Sequence, residues 1–408
     1  MSAIVIVGGG QAAVAAASRL RALKVERPIT IIADEAVLPY QRPPLSKSYL
    51  LGGASLTDIL LRPASWYAGL GIEILTGTRV DHIDRNRQRV TCDTGEERAY
   101  GTLVLATGGS PRTWPATLGG NLGGVYVARN KADADRLMPE MIPGKTMLVV
   151  GGGYVGLEAA AVGAELGLSV TVIEADARIL NRVASSATSD FLRELHVRHG
   201  VSIKESTGLV RFVGHNGRVA EAEMSDGSIL PIDFAIVGIG ITPNIGLAEG
   251  CGLAVMNGIL VDAFGRTSDP NVYAVGDCAA FPYGQGTVRL ECVQNAIDLA
   301  DAAAASIAGS PKPYVPVPWF WSDQYDAKLQ IAGLNTGYTD VLSRVGKAAD
   351  ACSVWYFDKE RFLAVDAIND GKSFVMGKKL LARGISPSRD ILADPDVDVV
   401  GYVQSLLR

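Results

Sequence analysis

The stretch Met147-Leu148-Val149-Val150-Gly151-Gly152-Gly153-Tyr154-Val155-Gly156 decides how this chain is read. Four apolar residues run into a glycine triplet, and an alanine-rich segment continues to Leu166. The pattern predicts a buried strand, a tight turn and a helix over Tyr154 to Leu166. Gly151, Gly153 and Gly156 stand in the spacing G-x-G-x-x-G. Such a turn needs residues without a Cβ, both to adopt unusual backbone angles and to let a pyrophosphate approach the main chain. The helix that follows directs its unpaired N–H groups and the positive end of its dipole at that phosphate. A second apolar run, Ser169 to Ile173, ends in Glu174, 21 residues past Gly153. A carboxylate there accepts from both adenosine ribose hydroxyls and repels a 2′-phosphate, which favours NADH over NADPH.

The same arrangement opens the chain. The strand-like Ala3-Ile4-Val5-Ile6-Val7 leads into Gly8-Gly9-Gly10, a helical stretch from Gln11 to Leu23 and a second strand from Ile29 to Ala33. Here the fingerprint is Gly8-x-Gly10-x-x-Ala13, and the acid closing the unit is Asp34, 24 residues past Gly10. Gly8 and Gly151 are 143 positions apart, so an internal duplication of a nucleotide-binding unit is the simplest reading. Two dinucleotide sites on one chain imply two cofactors that exchange electrons. FAD with NADH is the sensible pair, because a flavin accepts hydride and can release single electrons.

Between the repeats lies a β-rich segment that closes on Thr102 to Leu105 and Ala106-Thr107-Gly108. A similar series after the second unit closes on Phe234 to Val237 and Gly238-Ile239-Gly240. A further strand and turn, Val272 to Asp277, precede a helix-like run from Cys292 to Ala308, and the proline-rich 311–318 reads as a linker. The fold class expected is α/β: two Rossmann-like dinucleotide-binding domains, one inserted in the other, plus a C-terminal α+β domain. The FAD-binding domain would comprise residues 1–111 and 238–315, the NADH-binding domain 112–237 and the C-terminal domain 316–408.

Composition narrows the function classes. Of 408 residues, 48% are hydrophobic and 20% charged, which argues against disorder. The net charge of -5 argues against nucleic acid or an anionic membrane as partner. No apolar stretch approaches a membrane span, and the immediate strand leaves no room for a secretory signal. Five scattered cysteines without C-x-x-C fit neither a disulfide framework nor a zinc site, and suit a reducing cytoplasm. The four histidines form no metal pattern, and His196 with His199 reads as a solvated helix face.

The two fingerprints, Leu105-Ala106-Thr107-Gly108, and Thr267 with Asn271 to Asp277 resemble the two-dinucleotide flavoprotein reductases of the glutathione reductase superfamily. Arg42-Pro43-Pro44-Leu45-Ser46-Lys47 and Trp319-Phe320-Trp321-Ser322-Asp323-Gln324 narrow the resemblance. They are similar to putidaredoxin reductase-like, NADH-dependent ferredoxin reductases, which serve bacterial haem monooxygenases and aromatic-ring dioxygenases. The resemblance spans essentially the whole chain. It implies that Ala12, Asp34, Lys47, Val80, Ala106, Arg129, Asp277 and Val293 contact FAD, together with the glycine turn Gly8, Gly10 and Ala13 and with Arg42. It implies NADH contacts from Gly151, Gly153, Gly156, Glu158, Glu174 and Gly240. Lys47 and Glu158 would pair beside the reactive edge of the flavin, orienting the site and balancing charge. Trp319 or Trp321 would cover the ring, Glu291 would lie near its edge, and Tyr154 would gate the nicotinamide position.

Disulfide reductases of this superfamily carry a redox-active cysteine pair early in the chain, and the NADH peroxidases and oxidases a single one. No cysteine precedes Cys92, so thiol chemistry on the flavin is excluded on this reading. Electrons would leave singly to a protein, and a 2Fe-2S ferredoxin is the expected partner of a monomer or weak dimer. The acid-free run from Lys372 to Arg389, with Lys378, Lys379 and Arg383 between them, would steer that acidic partner. Two rival readings are an NADH oxidase and a redox-sensing interaction protein related to apoptosis-inducing factor.

Overall fold

The computed structural model describes residues 2–346, 348 and 350–408. Its backbone divides into two compact units, Met1–Gln41 with Ser55–Ser110 and Ile241–Pro316, and Arg42–Ala54 with Pro111–Gly240 and Val317–Arg408.

In the first unit the strand Ile4–Val7 is buried at all four positions, as an unbroken apolar run requires when both faces of a sheet are covered. It pairs in parallel with Ile29–Ile32 on one side and Thr102–Leu105 on the other. Ile72–Leu75 and Val272–Ala274 complete the five-stranded parallel sheet at its two edges. The strand order therefore reverses at Ile4–Val7, and the first glycine turn leaves the carboxyl end of that strand, where open α/β sheets bind ligands. Helix Gln11–Ala22 buries Ala12, Ala13, Ala16 and Ala17, small side chains that let helix Val293–Ile307 pack closely against it. The strands Val80–Asp84, Arg89–Cys92 and Glu97–Ala99 form a separate antiparallel sheet.

The second unit repeats the pattern. Thr146–Val150 pairs in parallel with Ser169–Ile173 and Phe234–Val237, flanked by Ser202–Lys204 and Val125–Tyr126. The duplication read from the glycines is thus also a duplication of strand order. One difference is topological: the outer strand beside Phe234–Val237 precedes its sheet in the chain, whereas the equivalent Val272–Ala274 follows.

An antiparallel sheet from the C-terminal segment belongs to this unit. Its order is Trp319–Gln324, Ala327–Gly333, Arg361–Ile368, Cys352–Asp358 and Asp340–Val345, with helix Gly371–Arg383 packed on it. Ala327, Leu329 and Ile368 share one apolar core with Leu157, Ala160 and Leu192. Each large side chain so buried contributes about 1.5–3 kcal/mol, which ties sheet and nucleotide-binding part into one body. The segment Arg42–Ala54 enters the same core through Leu50. No described helix is long and apolar enough to cross a membrane.

Candidate functional site

The first glycine turn is dictated by close backbone approach. Gly8 has φ +123°, and a Cβ there would lie 2.2 Å from the carbonyl oxygen of Ala106. Gly10 differs, because a Cβ on it would meet nothing within 4 Å. That open space fronts the N-terminus of helix Gln11–Ala22, whose first turn has no side-chain cap and no acid. Unclaimed N–H groups facing room for a ligand are what a pyrophosphate needs. Gly276, at φ +75°, brings the Asp277 turn to Ala12, since a Cβ there would sit 3.0 Å from the Ala12 Cβ. Gly8, Gly10, Ala12, Ala13, Ala106 and Asp277 thus converge, with Asp34 exposed at the end of its strand. Val80 is buried at the start of its own strand, and Val293 starts the helix capped by Cys292. Glu291 is bound within the same unit, its Oε1 2.6 Å from Arg289.

The second turn is built alike. Gly151 has φ +105°, and a Cβ on it would fall 2.6 Å from the Gly238 carbonyl oxygen. A Cβ on Gly156 would fall 2.2 Å from that of Gly151, while those on Gly153 and Gly240 would meet nothing. Glu174 is held by the loop itself: Gly152 N–H donates to Oε2 at 2.8 Å and Asp176 N–H to Oε1 at 2.9 Å. Each carboxylate oxygen retains a lone pair for a ribose hydroxyl.

Lys47 and Glu158, 111 residues apart, meet in the second unit with Nζ 3.1 Å from Oε1. Helix Tyr154–Glu165 presents Glu158, and the 3-10 turn Pro43–Ser46 presents Lys47 just past its end. The carboxylate also accepts from Ser46 Oγ at 2.9 Å and Ser322 Oγ at 2.7 Å, and Lys47 reaches Asp323 at 3.4 Å. Burial pushes the Glu158 carboxyl above its ordinary range, although Lys47 and the hydroxyl donors pull it down. Ser46, Ser322 and Asp323 carried no assigned site role in the sequence reading. Ser46 stands beside Lys47 in the motif, but nothing local links Ser322 to a residue 164 positions away.

Period-two alternation along Trp319–Gln324 accounts for this convergence. On one face Phe320 meets Tyr154 at a ring separation of 4.9 Å, Ser322 meets Glu158, and Gln324 meets His196 at 2.8 Å. On the other, Trp319 and Trp321 lie 5.5 Å apart at 33°. Lys378 Nζ stands 4.8 Å from the centre of the Trp319 ring. Tyr154 is half-buried, its enclosed hydroxyl without a partner among the described residues. Arg42 donates to the Arg129 carbonyl oxygen at 3.0 Å, so these two residues also come together.

Two expectations need correction. His196 is not on a solvated face but fully buried, hydrogen-bonded to Gln324 and Tyr325. The helix Ser186–Arg198 is covered there by the C-terminal segment, which no local pattern announces. The basic run is also partly spent: Lys378 lies on Trp319, Arg389 pairs with Asp340 at 3.1 Å, and Arg383 donates to the Leu407 carbonyl oxygen. Lys372 and Lys379 remain exposed on helix Gly371–Arg383. No group of metal-ligating side chains occurs among the described residues.

Two glycine cradles on duplicated sheets, an ion pair held in a buried polar cluster, and a C-terminal antiparallel sheet define a two-nucleotide redox protein. The Pyridine nucleotide-disulphide oxidoreductase family matches residues 2–305, and the Reductase C-terminal family residues 319–402. The chain belongs to the pyridine nucleotide-disulphide oxidoreductase family. It is 42% identical over 395 residues to the 5,5'-dehydrodivanillate O-demethylase ferredoxin reductase subunit of a Sphingobium species, covering 96% of each chain. It is 38% identical to putidaredoxin reductase of Pseudomonas putida over 400 residues, 97% of this chain and 95% of that one. The crystal structure of the covalent putidaredoxin reductase–putidaredoxin complex superposes with a TM-score of 0.95 at 37% identity, covering 99% of this chain and 98% of that one. As a member of this family the chain uses FAD and a nicotinamide dinucleotide, and the open fronts of Gly10 and Gly153 fit their pyrophosphates.

Proposed function

We propose that this protein is an NADH:ferredoxin reductase that passes single electrons to a 2Fe-2S ferredoxin serving a haem monooxygenase or an aromatic-ring dioxygenase. The carrying observation is the pair of uncapped glycine cradles on one chain. Bound FAD supplies an acceptor for hydride and a source of single electrons. The residues of the chain bind and orient. Residues 1–111 and 238–315 form the FAD-binding domain, with Gly8, Gly10, Ala12, Ala13, Asp34, Val80, Ala106, Asp277 and Val293 as contacts. Arg42 and Arg129, joined by their own hydrogen bond, are further contacts. Residues 112–237 bind the nicotinamide dinucleotide through Gly151, Gly153, Gly156 and Glu174, with Gly240 as a further contact beyond that domain, and the Glu174 carboxylate selects NADH. Lys47 and Glu158 balance charge at the reacting centre, which Trp319 or Trp321 shields from water and Glu291 borders.

The thiols support this exit route for electrons. All five cysteines are free, and burial pushes every one of their thiols up, Cys292 and Cys352 to about 11. None is poised as a thiolate nucleophile. The unpaired cysteines also support a cytoplasmic protein, and we take it as a monomer or weak dimer.

The deciding experiment is anaerobic addition of NADH to the purified yellow protein, followed by cytochrome c reduction with and without a 2Fe-2S ferredoxin. Bleaching by NADH, with fast cytochrome c reduction only when the ferredoxin is present, is expected. Rapid oxygen consumption without stimulation by ferredoxin would replace this reading with the oxidase. Slow turnover with every acceptor would replace it with the redox sensor.

A further inference from the structure

Glu158 ends a line of buried side chains that the proposed reaction does not touch. Ser322 Oγ lies 2.7 Å from Glu158 Oε1, and Gln324 Nε2 lies 3.1 Å from Ser322 Oγ. Gln324 Oε1 lies 2.8 Å from His196 Nε2, and the Tyr325 hydroxyl 3.2 Å from His196 Nδ1. Glu158, Ser322, Gln324 and His196 are 7%, 1%, 2% and 0% exposed, so water does not repair a mismatched donor.

Counting protons then sets a direction. Lys47 beside Glu158 favours the carboxylate, which only accepts. Ser322 has one proton, and Glu158 takes it. The Ser322 oxygen must therefore accept from the amide of Gln324, which turns the carbonyl oxygen of Gln324 to His196. A carbonyl oxygen cannot donate, so neutral His196 carries its proton on Nε2 and accepts from Tyr325 at Nδ1. Every hydrogen bond in the line points toward Glu158, and aligned bonds in a low-dielectric interior polarise one another.

We propose that Ser322, Gln324 and His196 are positioning residues, a one-directional hydrogen-bond chain from Tyr325 that holds the Glu158 carboxylate ionised and aimed at Lys47. Its bearing on catalysis rests on the reductase reading, while its direction does not. The chain is a polarising line and not a proton conduit, because a carboxamide passes a proton only through its imidic-acid form. The groups facing Glu158 are Lys47, Ser46 and Ser322, with Asp323 behind Lys47. Those facing His196 are Gln324, Tyr325 and His199. Burial pushes the His196 imidazole down to about 4, so at neutral pH its two neutral tautomers are the states that matter.

Nitrogen-15 NMR of histidine-labelled protein reads the tautomer directly, with His196→Asn to assign the resonance. A single Nε2-protonated tautomer at neutral pH is expected in the wild type. Glu158→Gln, which lets position 158 donate to Ser322, lifts the constraint, and the Nδ1-protonated form should appear. Gln324→Met removes the link without touching Glu158, and the Glu158 carboxyl, followed by carbon-13 NMR, should then titrate at higher pH. An Nδ1-protonated or mixed His196 in the wild type overturns the proposal without any variant having to fold. An unchanged Glu158 titration in well-folded Gln324→Met overturns it too. Failure of the reductase reading would look different: no reduction by NADH, with the tautomer as expected.

Discussion

Glu174 is held by two backbone N–H groups before any nucleotide arrives, Gly152 at 2.8 Å and Asp176 at 2.9 Å. In the proposed nucleotide site its carboxylate is therefore pre-oriented, and replacing it carries a local cost as well. Losing a charged hydrogen bond costs roughly 1.5–3 kcal/mol. Glu174→Arg should accordingly weaken NADH by about ten- to a hundredfold at 1.4 kcal/mol per decade, while relatively favouring NADPH. The ratio of kcat/KM for the two nucleotides measures this. Glu174→Gln, which keeps an acceptor for one N–H, should relax the preference with less loss of stability. At Lys47 the logic concerns charge. Glu158 is already pushed up by burial, so Lys47→Met removes the cation that opposes that push and drives the carboxyl higher still. Stopped-flow reduction by NADH should slow by about tenfold, the worth of one charge-assisted hydrogen bond, and the flavin potential should fall. The place of Glu174 against the glycine turn was legible because its signal is local, an acid at a set distance from that turn. His196 was misread because its cover comes from Gln324, 128 positions away.

Helix Tyr154–Glu165 starts against its own turn, and Gly156 is the position where the two touch. A methyl group placed there would lie 2.2 Å from a backbone oxygen, which cannot yield as a flexible side chain does. Gly156→Ala should raise the KM for NADH and leave FAD content unchanged, as absorbance and steady-state kinetics will show. A second element-scale device gathers three segments on Glu140. The acid pairs with Arg218 at 2.6 Å and Lys145 at 2.7 Å and accepts from Tyr126 at 2.8 Å. Burial pushes this carboxyl up, but the hydrogen bonds outweigh it and hold the group at about 2, below the usual 4.5. A lowered carboxyl stabilises the fold fully above the unfolded value, and the contribution fades as pH falls from about 4.5 through about 2. Glu140→Gln should therefore lower the denaturation midpoint at neutral pH, and the gap to wild type should close only in that acid window. None of this network is readable from Glu140 itself, because its partners lie on three other segments.

For the whole molecule, the net charge of -5 coexists with an exposed pair of lysines, Lys372 and Lys379, on helix Gly371–Arg383. Exposed charges act over about 8 Å at 0.15 M salt, so steering by this pair should depend on ionic strength. Neutralising both should lower the ferredoxin-dependent rate and flatten its salt dependence, while the NADH–ferricyanide rate stays almost unchanged. Equal loss of both rates would make the lysines structural. Lys378 and Arg389 were part of the same basic run in the sequence. The fold assigns them instead to the Trp319 ring and to Asp340.

What the sequence by itself determined is the duplicated strand–turn–helix–strand unit, its two closing acids and the absence of an early cysteine. Those features are short-range, since a glycine turn and the strand on either side of it obey backbone sterics that hold wherever the unit sits. The ion pair of Lys47 with Glu158 followed from resemblance to a family and not from spacing. The tertiary structure alone decided that the C-terminal sheet shares a core with the second nucleotide-binding part. It alone decided that one face of Trp319–Gln324 delivers Ser322 and Gln324 to Glu158 and His196. The physical reason is that a buried polar group takes whichever donor the packing brings to it, and packing joins segments that no periodicity relates.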